Sequence, residues 1–91
     1  MKIQVVNTFD GDECLYVNNV GVYMVERCDQ SVAGYSPKEV GEKLAEALGG
    51  KVEVLDFKES DLPEGVTGSD WTFDDVTHWL EKRNQWETSS Q

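Results

Sequence analysis

The spacing of apolar and polar positions predicts six elements in the order β-β-β-α-β-α. Ile3, Val5 and Val6 mark a first strand over residues 1–9, closed by the turn signal "FDGDE". Two apolar-rich runs then flank Asn18-Asn19, and asparagine tolerates the positive φ angles that a type I′ hairpin turn requires. With that turn, Val17 faces Val20, Leu15 faces Val22 and Glu13 faces Met24, which makes this the core side of the hairpin. The opposite side then carries Tyr16 across from Gly21 and Cys14 across from Tyr23, with Val25 beyond. A ring lying over a cross-strand glycine is a packing solution for Tyr16.

After a connecting loop at residues 27–35, "SPKE" opens a helix. Ser36 is the N-cap, Pro37 takes the first helical position and Glu39 completes a capping box. Val40, Leu44, Ala47 and Leu48 recur at helical spacing until Gly49-Gly50 ends the run. Gly41 inside this helix costs about 1 kcal/mol relative to alanine, which predicts close packing there. "KVEVLDF" is a fourth strand, and a loop rich in Pro, Gly and acids follows it. A second helix starts from the N-cap Thr72, with Asp74 and Asp75 in its first turn and Lys82 and Arg83 in its last. Trp71 and Val76 have the spacing of a hydrophobic staple, and Val76, Trp79, Leu80 and Arg83 share a face. Residues 86–91 read as a frayed polar tail. The expected fold is therefore α+β: one domain spanning residues 1–91, with an antiparallel sheet and two helices packed on one face.

A length of 91 residues fits one modest core. No run approaches the roughly 18 apolar residues of a membrane span, and acids interrupt the N-terminal segment before a signal-peptide core can form. The expected compartment is the cytoplasm. Eighteen acidic residues against eight basic ones give a net charge of −10. That field opposes nucleic acid and anionic membranes as direct partners. It serves solubility, or it suits a partner that is itself basic.

Little in the chain suggests reaction chemistry. The predicted register places Cys28 five residues beyond the partner of Cys14, more than about 10 Å away at roughly 3.3 Å per residue. A disulfide needs a Cα separation of about 4.4–6.8 Å, so both cysteines are expected as free thiols. Two cysteines and the single histidine, His78, do not make a zinc set at a recognised spacing. "DGDE" at 10–13 lacks the length of a calcium loop, and Asp74-Asp75 is better explained as a helix start. No glycine pattern matches a phosphate cradle, and no triad can be assembled. The expectation is a protein that is not an enzyme and carries no cofactor or metal.

The charge is unevenly spread. Between Glu53 and Asp75 lie eight acids, Glu53, Asp56, Glu59, Asp61, Glu64, Asp70, Asp74 and Asp75, against the single base Lys58. Such a segment can imitate a row of phosphates, and complementary fields of this kind speed encounter and select the partner. Tyr16, Tyr23 and Trp86 are the candidate aromatic anchors, since Tyr and Trp are enriched in binding hot spots.

"LYVNNVGVY" at 15–23 and "LPEG" at 62–65 resemble segments of small phage-encoded proteins in which a Leu-Tyr-Val strand runs into a tight turn and returns. In that group the turn usually contains glycine, whereas Asn19 holds the place here. The resemblance implies no catalytic residue. It implies a phage origin and action in the host cytoplasm, where small acidic proteins bind and block host machinery, CRISPR and other defence complexes included. The functional expectation is a non-enzymatic inhibitor of a host nucleic-acid-handling or defence protein, acting as a nucleic-acid mimic. The alternative is a homo-oligomeric accessory module joined through the hairpin face, with a second copy of the chain as partner.

Overall fold

The computed structural model describes residues 1–27 and 34–89. Contacts divide the chain into two compact units, Met1–Phe57 and Lys58–Gln91. The first holds strands β1 (Ile3–Thr8), β2 (Glu13–Val17) and β3 (Val20–Val25), helix α1 (Pro37–Leu48) and strand β4 (Val52–Phe57). The second holds a 3₁₀ turn at Glu59–Asp61 and helix α2 (Phe73–Ser89). The α+β class and the order β-β-β-α-β-α are those the hydropathy pattern predicts.

The sheet order is β3-β2-β1-β4. Strands β1, β2 and β3 form an antiparallel meander, but β4 runs parallel to β1, from Ile3↔Val52 to Thr8↔Phe57. The sheet is thus mixed rather than antiparallel throughout. The helical connection between β3 and β4 is the cause: a crossover of this length carries the chain back along the sheet and starts the next strand in the same direction as the last.

The hairpin turn forms as expected, with Asn18 at φ 50° and Asn19 at φ 70°. Asn18 also ties the turn to the start of β1. Its Oδ1 accepts the Lys2 amide at 2.9 Å, and its own amide donates to the Lys2 carbonyl at 2.9 Å. Val17↔Val20 and Tyr16↔Gly21 pair as predicted, but the register then shifts to Leu15↔Tyr23, Cys14↔Met24 and Glu13↔Val25. Val22 is the extra residue of a bulge. Beyond it every β3 side chain changes face, because side-chain direction in a strand has period two. Tyr23 therefore pairs with Leu15 on the side of α1, and not with Cys14.

Two further expectations about the hairpin change. Val20 and Val22, expected in the core, are 61% and 53% exposed, because β3 is an edge strand. Tyr16, expected on an open face, is completely buried together with Cys14 and Leu15. Strands β1 and β2 are interior strands with both faces closed from water, as the consecutive Val5-Val6 and Cys14-Leu15-Tyr16 runs allow.

One core cluster joins Ile3, Val5 and Leu15 of the sheet to Ala45 of α1, with Val40, Leu44 and Val52 packed around it. Ser36 and Gly49 cap α1 as expected, but the capping box does not form: the Glu39 carboxylate accepts from the Ser36 hydroxyl at 3.2 Å instead of from the Ser36 amide. The Glu39 amide donates to Ser36 Oγ at 3.2 Å, and Gly49 closes the helix at φ 74° while Gly50 N–H reaches the Ala45 carbonyl. A contact the sequence does not suggest fixes where the helix begins: Glu13 Oε1 on β2 accepts the Lys38 amide at 2.7 Å.

In the second unit α2 begins after Thr72, whose amide donates to Asp75 Oδ2 at 2.9 Å. Trp71 meets Phe73 edge-on, with ring centroids 5.8 Å apart. Among the described side chains of α2, the buried positions are Val76, Leu80 and Asn84. Because α2 continues to Ser89, Lys82, Arg83 and Trp86 lie within the helix, and the residues after Trp86 extend it instead of fraying at once. No helix among the described residues is long and apolar enough to cross a membrane.

Candidate functional site

The acidic residues separate into those that hold the backbone and those that face water. In the first unit, half-buried Glu53 accepts the buried Gln4 Nε2 at 2.7 Å, while Asp56 is exposed. In the second unit Asp61 accepts the Lys58 amide at 2.9 Å, Asp70 accepts Thr67 Oγ1 at 2.8 Å, and Asp75 caps α2. Glu59, Glu64 and Asp74 are exposed, and their carboxylates make no hydrogen bond or ion pair among the described residues. Asp12 and Glu13 also have structural roles: Asp12 Oδ1 takes the Arg27 amide and Glu13 the Lys38 amide.

The three candidate aromatics fare differently. Tyr16 is excluded as a contact residue by its burial. Tyr23 is 37% exposed, and its hydroxyl donates to the Tyr35 carbonyl at 2.8 Å. Tyr35 in turn presents its ring to Lys43 Nζ, 5.3 Å from the centroid. Trp86 is 76% exposed, on a helix whose other outward positions are polar. An indole so placed is the strongest surface signal in the second unit.

Trp86 is not isolated. It lines a solvent-open cleft of about 430 Å³, together with Asp75, His78, Trp79, Lys82 and Arg83 from the same helix. Asp61 and Pro63 close the other side. Steps of three and four residues put the α2 members on one stripe, about 16 Å from first to last at 1.5 Å per residue. The structure so brings Asp61, Asp75 and Trp86 together, and adds His78, Trp79, Lys82 and Arg83 of α2, none of them a candidate site residue from the sequence. Trp79, expected to share a face with Val76, Leu80 and Arg83, is half-buried on this stripe. Had the helix been extended past Arg83, the i, i+4, i+7, i+11 spacing of Asp75, Trp79, Lys82 and Trp86 would have disclosed it.

The thiol expected to be free is chemically quiet. Burial, with Asp12 and Glu13 adding to it, pushes Cys14 from 9.0 up to about 12. A thiol is the weak form of this nucleophile, so native Cys14 should resist iodoacetamide at pH 8 and react only after unfolding. Because the folded value lies above the unfolded one, the stability linked to Cys14 is complete below pH 9 and falls as pH rises toward about 12. A urea series across that range measures it. Cys28, and with it the expected separation of the two cysteines, lies outside the described residues.

No three His, Cys, Asp or Glu side chains among the described residues converge on a metal-sized point. Every buried side-chain polar atom among them has a hydrogen-bond partner. The polar chemistry open to a ligand is therefore on the surface, and in the second unit it gathers at the cleft. No protein-family model, curated protein or solved structure matches this chain.

Proposed function

We propose that the protein is a non-enzymatic, acidic binding protein that docks on the basic, nucleic-acid-binding surface of a partner protein and blocks it. The observation that carries this reading is the pairing, within the second unit, of exposed Glu59, Glu64 and Asp74 with the exposed indole of Trp86. Unengaged carboxylates supply a field that draws in a basic surface, and an aromatic anchor holds it once met. The phage resemblance of residues 15–23 and 62–65 directs the proposal to host nucleic-acid-handling and defence proteins.

The test follows from which acids are unengaged. Glu59→Gln, Glu64→Gln and Asp74→Asn together remove three charges without touching a cap, whereas changes at Asp61 or Asp70 would confuse folding with binding. A host protein captured at low salt should associate about tenfold more slowly with the triple variant and be released as ionic strength rises. Its nucleic-acid binding should be blocked by the wild type and recovered with the variant. Capture that ignores both salt and the three substitutions would sink the mimicry reading.

A second reading, a homo-oligomer joined along the hairpin, draws on the exposed Val20 and Val22 of edge strand β3. Light scattering over a concentration series decides it, and a strict monomer removes it.

A further inference from the structure

We infer that β3 has two registers on β2, and that Tyr23 is the latch that holds the bulged one. The other register is the one the Asn18-Asn19 turn alone dictates, with Cys14 opposite Tyr23 and Glu13 opposite Met24. The strand follows it only as far as Tyr16↔Gly21, after which Val22 takes up the slip. Register is normally specified by the pattern of apolar side chains, because a slip of one residue turns each of them to the other face. In "VGVYMV" that selection is missing. Every position after Gly21 is apolar or aromatic, so Val22 and Tyr23, or Met24 and Val25, can trade faces without burying a charge. As an edge strand, β3 also has no second neighbour to hold it in place.

Three contacts select the bulged register. The Tyr23 hydroxyl donates to the Tyr35 carbonyl at 2.8 Å, which requires the ring on the side of α1. Tyr35 is held in turn by Lys43 of α1, whose Nζ stands 5.3 Å from the ring centroid. Met24 lays its terminal methyl over Gly21: a Cβ there would lie 2.5 Å from Met24 Cε and 3.4 Å from Tyr16 Cε1. Residues three apart in a regular strand point to opposite faces, so it is the bulge that brings Met24 above Gly21. At the far end of β3 the Arg27 amide donates to Asp12 Oδ1 at 2.9 Å, and a slip of one residue, about 3.3 Å, breaks that bond.

The two hydrogen bonds are exposed, where each is traded against a bond to water and contributes little. The slipped register gives them up and regains the ladder position that the bulge leaves unpaired. The two states therefore lie close in free energy, with the slipped one at about 1–10% of the population. Slipping also releases Tyr35 from the sheet, so the register of β3 is coupled to the anchoring of the chain where it enters α1.

Cross-strand NOEs and chemical exchange saturation transfer on the whole chain read the register. The major state of the wild type should pair Cys14 with Met24 and Glu13 with Val25. Tyr23→Phe removes the latch but keeps the ring, and should raise the minor population about fivefold. Gly21→Ala, at an exposed position without positive φ, displaces the Met24 methyl and should raise it further. The double variant should then show a second set of peaks in which Cys14 faces position 23 and Glu13 faces Met24. Deleting Val22 makes the turn register and the Tyr23 latch compatible, so this variant should keep the Glu13–Val25 pairing and show no exchange in β3. A double variant with only the bulged pairings and no exchange would overturn the inference whether or not the deletion variant folds. Exchange in β3 that persists without Val22 would also overturn it.

Discussion

Tyr16→Ala should lower the unfolding free energy by about 3–5 kcal/mol, the range for truncating a fully buried aromatic ring. Tyr16 has no exposed surface. It lies on β2 between two neighbouring strands, and its Cε1 comes within 3.4 Å of where a Cβ on Gly21 would stand. Truncation would open a void beside Gly21, which has no side chain with which to fill it. The hydroxyl gives the residue a polar handle, so Tyr16→Phe should cost roughly 1 kcal/mol if that group donates a hydrogen bond in the native state. Because domains of this size are held by only about 5–15 kcal/mol, the alanine variant should lose a large share of its stability. Urea titration followed by tryptophan fluorescence measures it, with Tyr23→Ala as the control, expected to change stability by less than about 1 kcal/mol. Equal, small effects at both tyrosines would return Tyr16 to the surface and reopen it as a contact residue.

The contrast between these tyrosines shows what could be read from the chain. The Asn18-Asn19 turn was legible, since few residues accept positive φ at two successive positions. The ends of α1 and the start of α2 were legible too, because caps depend on residues close in sequence. The bulge at Val22 was not. It adds one residue to one strand, leaves no mark in an apolar run such as "VGVYMV", and moves Tyr23 to the other face. Burial of the second face of β2 was equally hidden, since an isolated hairpin pattern does not say whether one face or both are closed.

The acids divide along the same line. Their number and clustering are plain in the sequence, but the role of each is not. Asp61, Asp70 and Asp75 are bonded to residues three positions away, so they act locally as caps and turn holders. Glu59, Glu64 and Asp74 look the same in the sequence and are left to the solvent. The cleft was hidden for a different reason. Lys82 and Arg83 resemble the basic last turn that complements a helix dipole, and stopping α2 there removed Trp86 from the stripe that it completes.

Gly41→Val should destabilise the protein by about 3 kcal/mol, at the upper end of the usual cost of overpacking. A Cβ at this position would lie 3.1 Å from Leu15 Cδ1, 3.5 Å from Val5 Cγ2 and 3.6 Å from Ile3 Cγ2. These three side chains form the sheet side of the core cluster, so the missing side chain lets α1 approach β1 and β2. The helix cannot simply lift away, because its first turn is held by Glu13 through the Lys38 amide and its cap by Ser36. Alanine is the discriminating control. It recovers about 1 kcal/mol of helix propensity, and its single methyl asks Leu15 to yield only a few tenths of an ångström, so its net effect should stay within about 1 kcal/mol of the wild type. Valine adds two branched carbons with a stiff χ1 to a site already in contact on three sides. If chemical denaturation finds valine as stable as alanine, the helix does not approach the sheet this closely. If valine alone collapses stability, the glycine that looked like a weak point in the helix is what permits α1 to close the core.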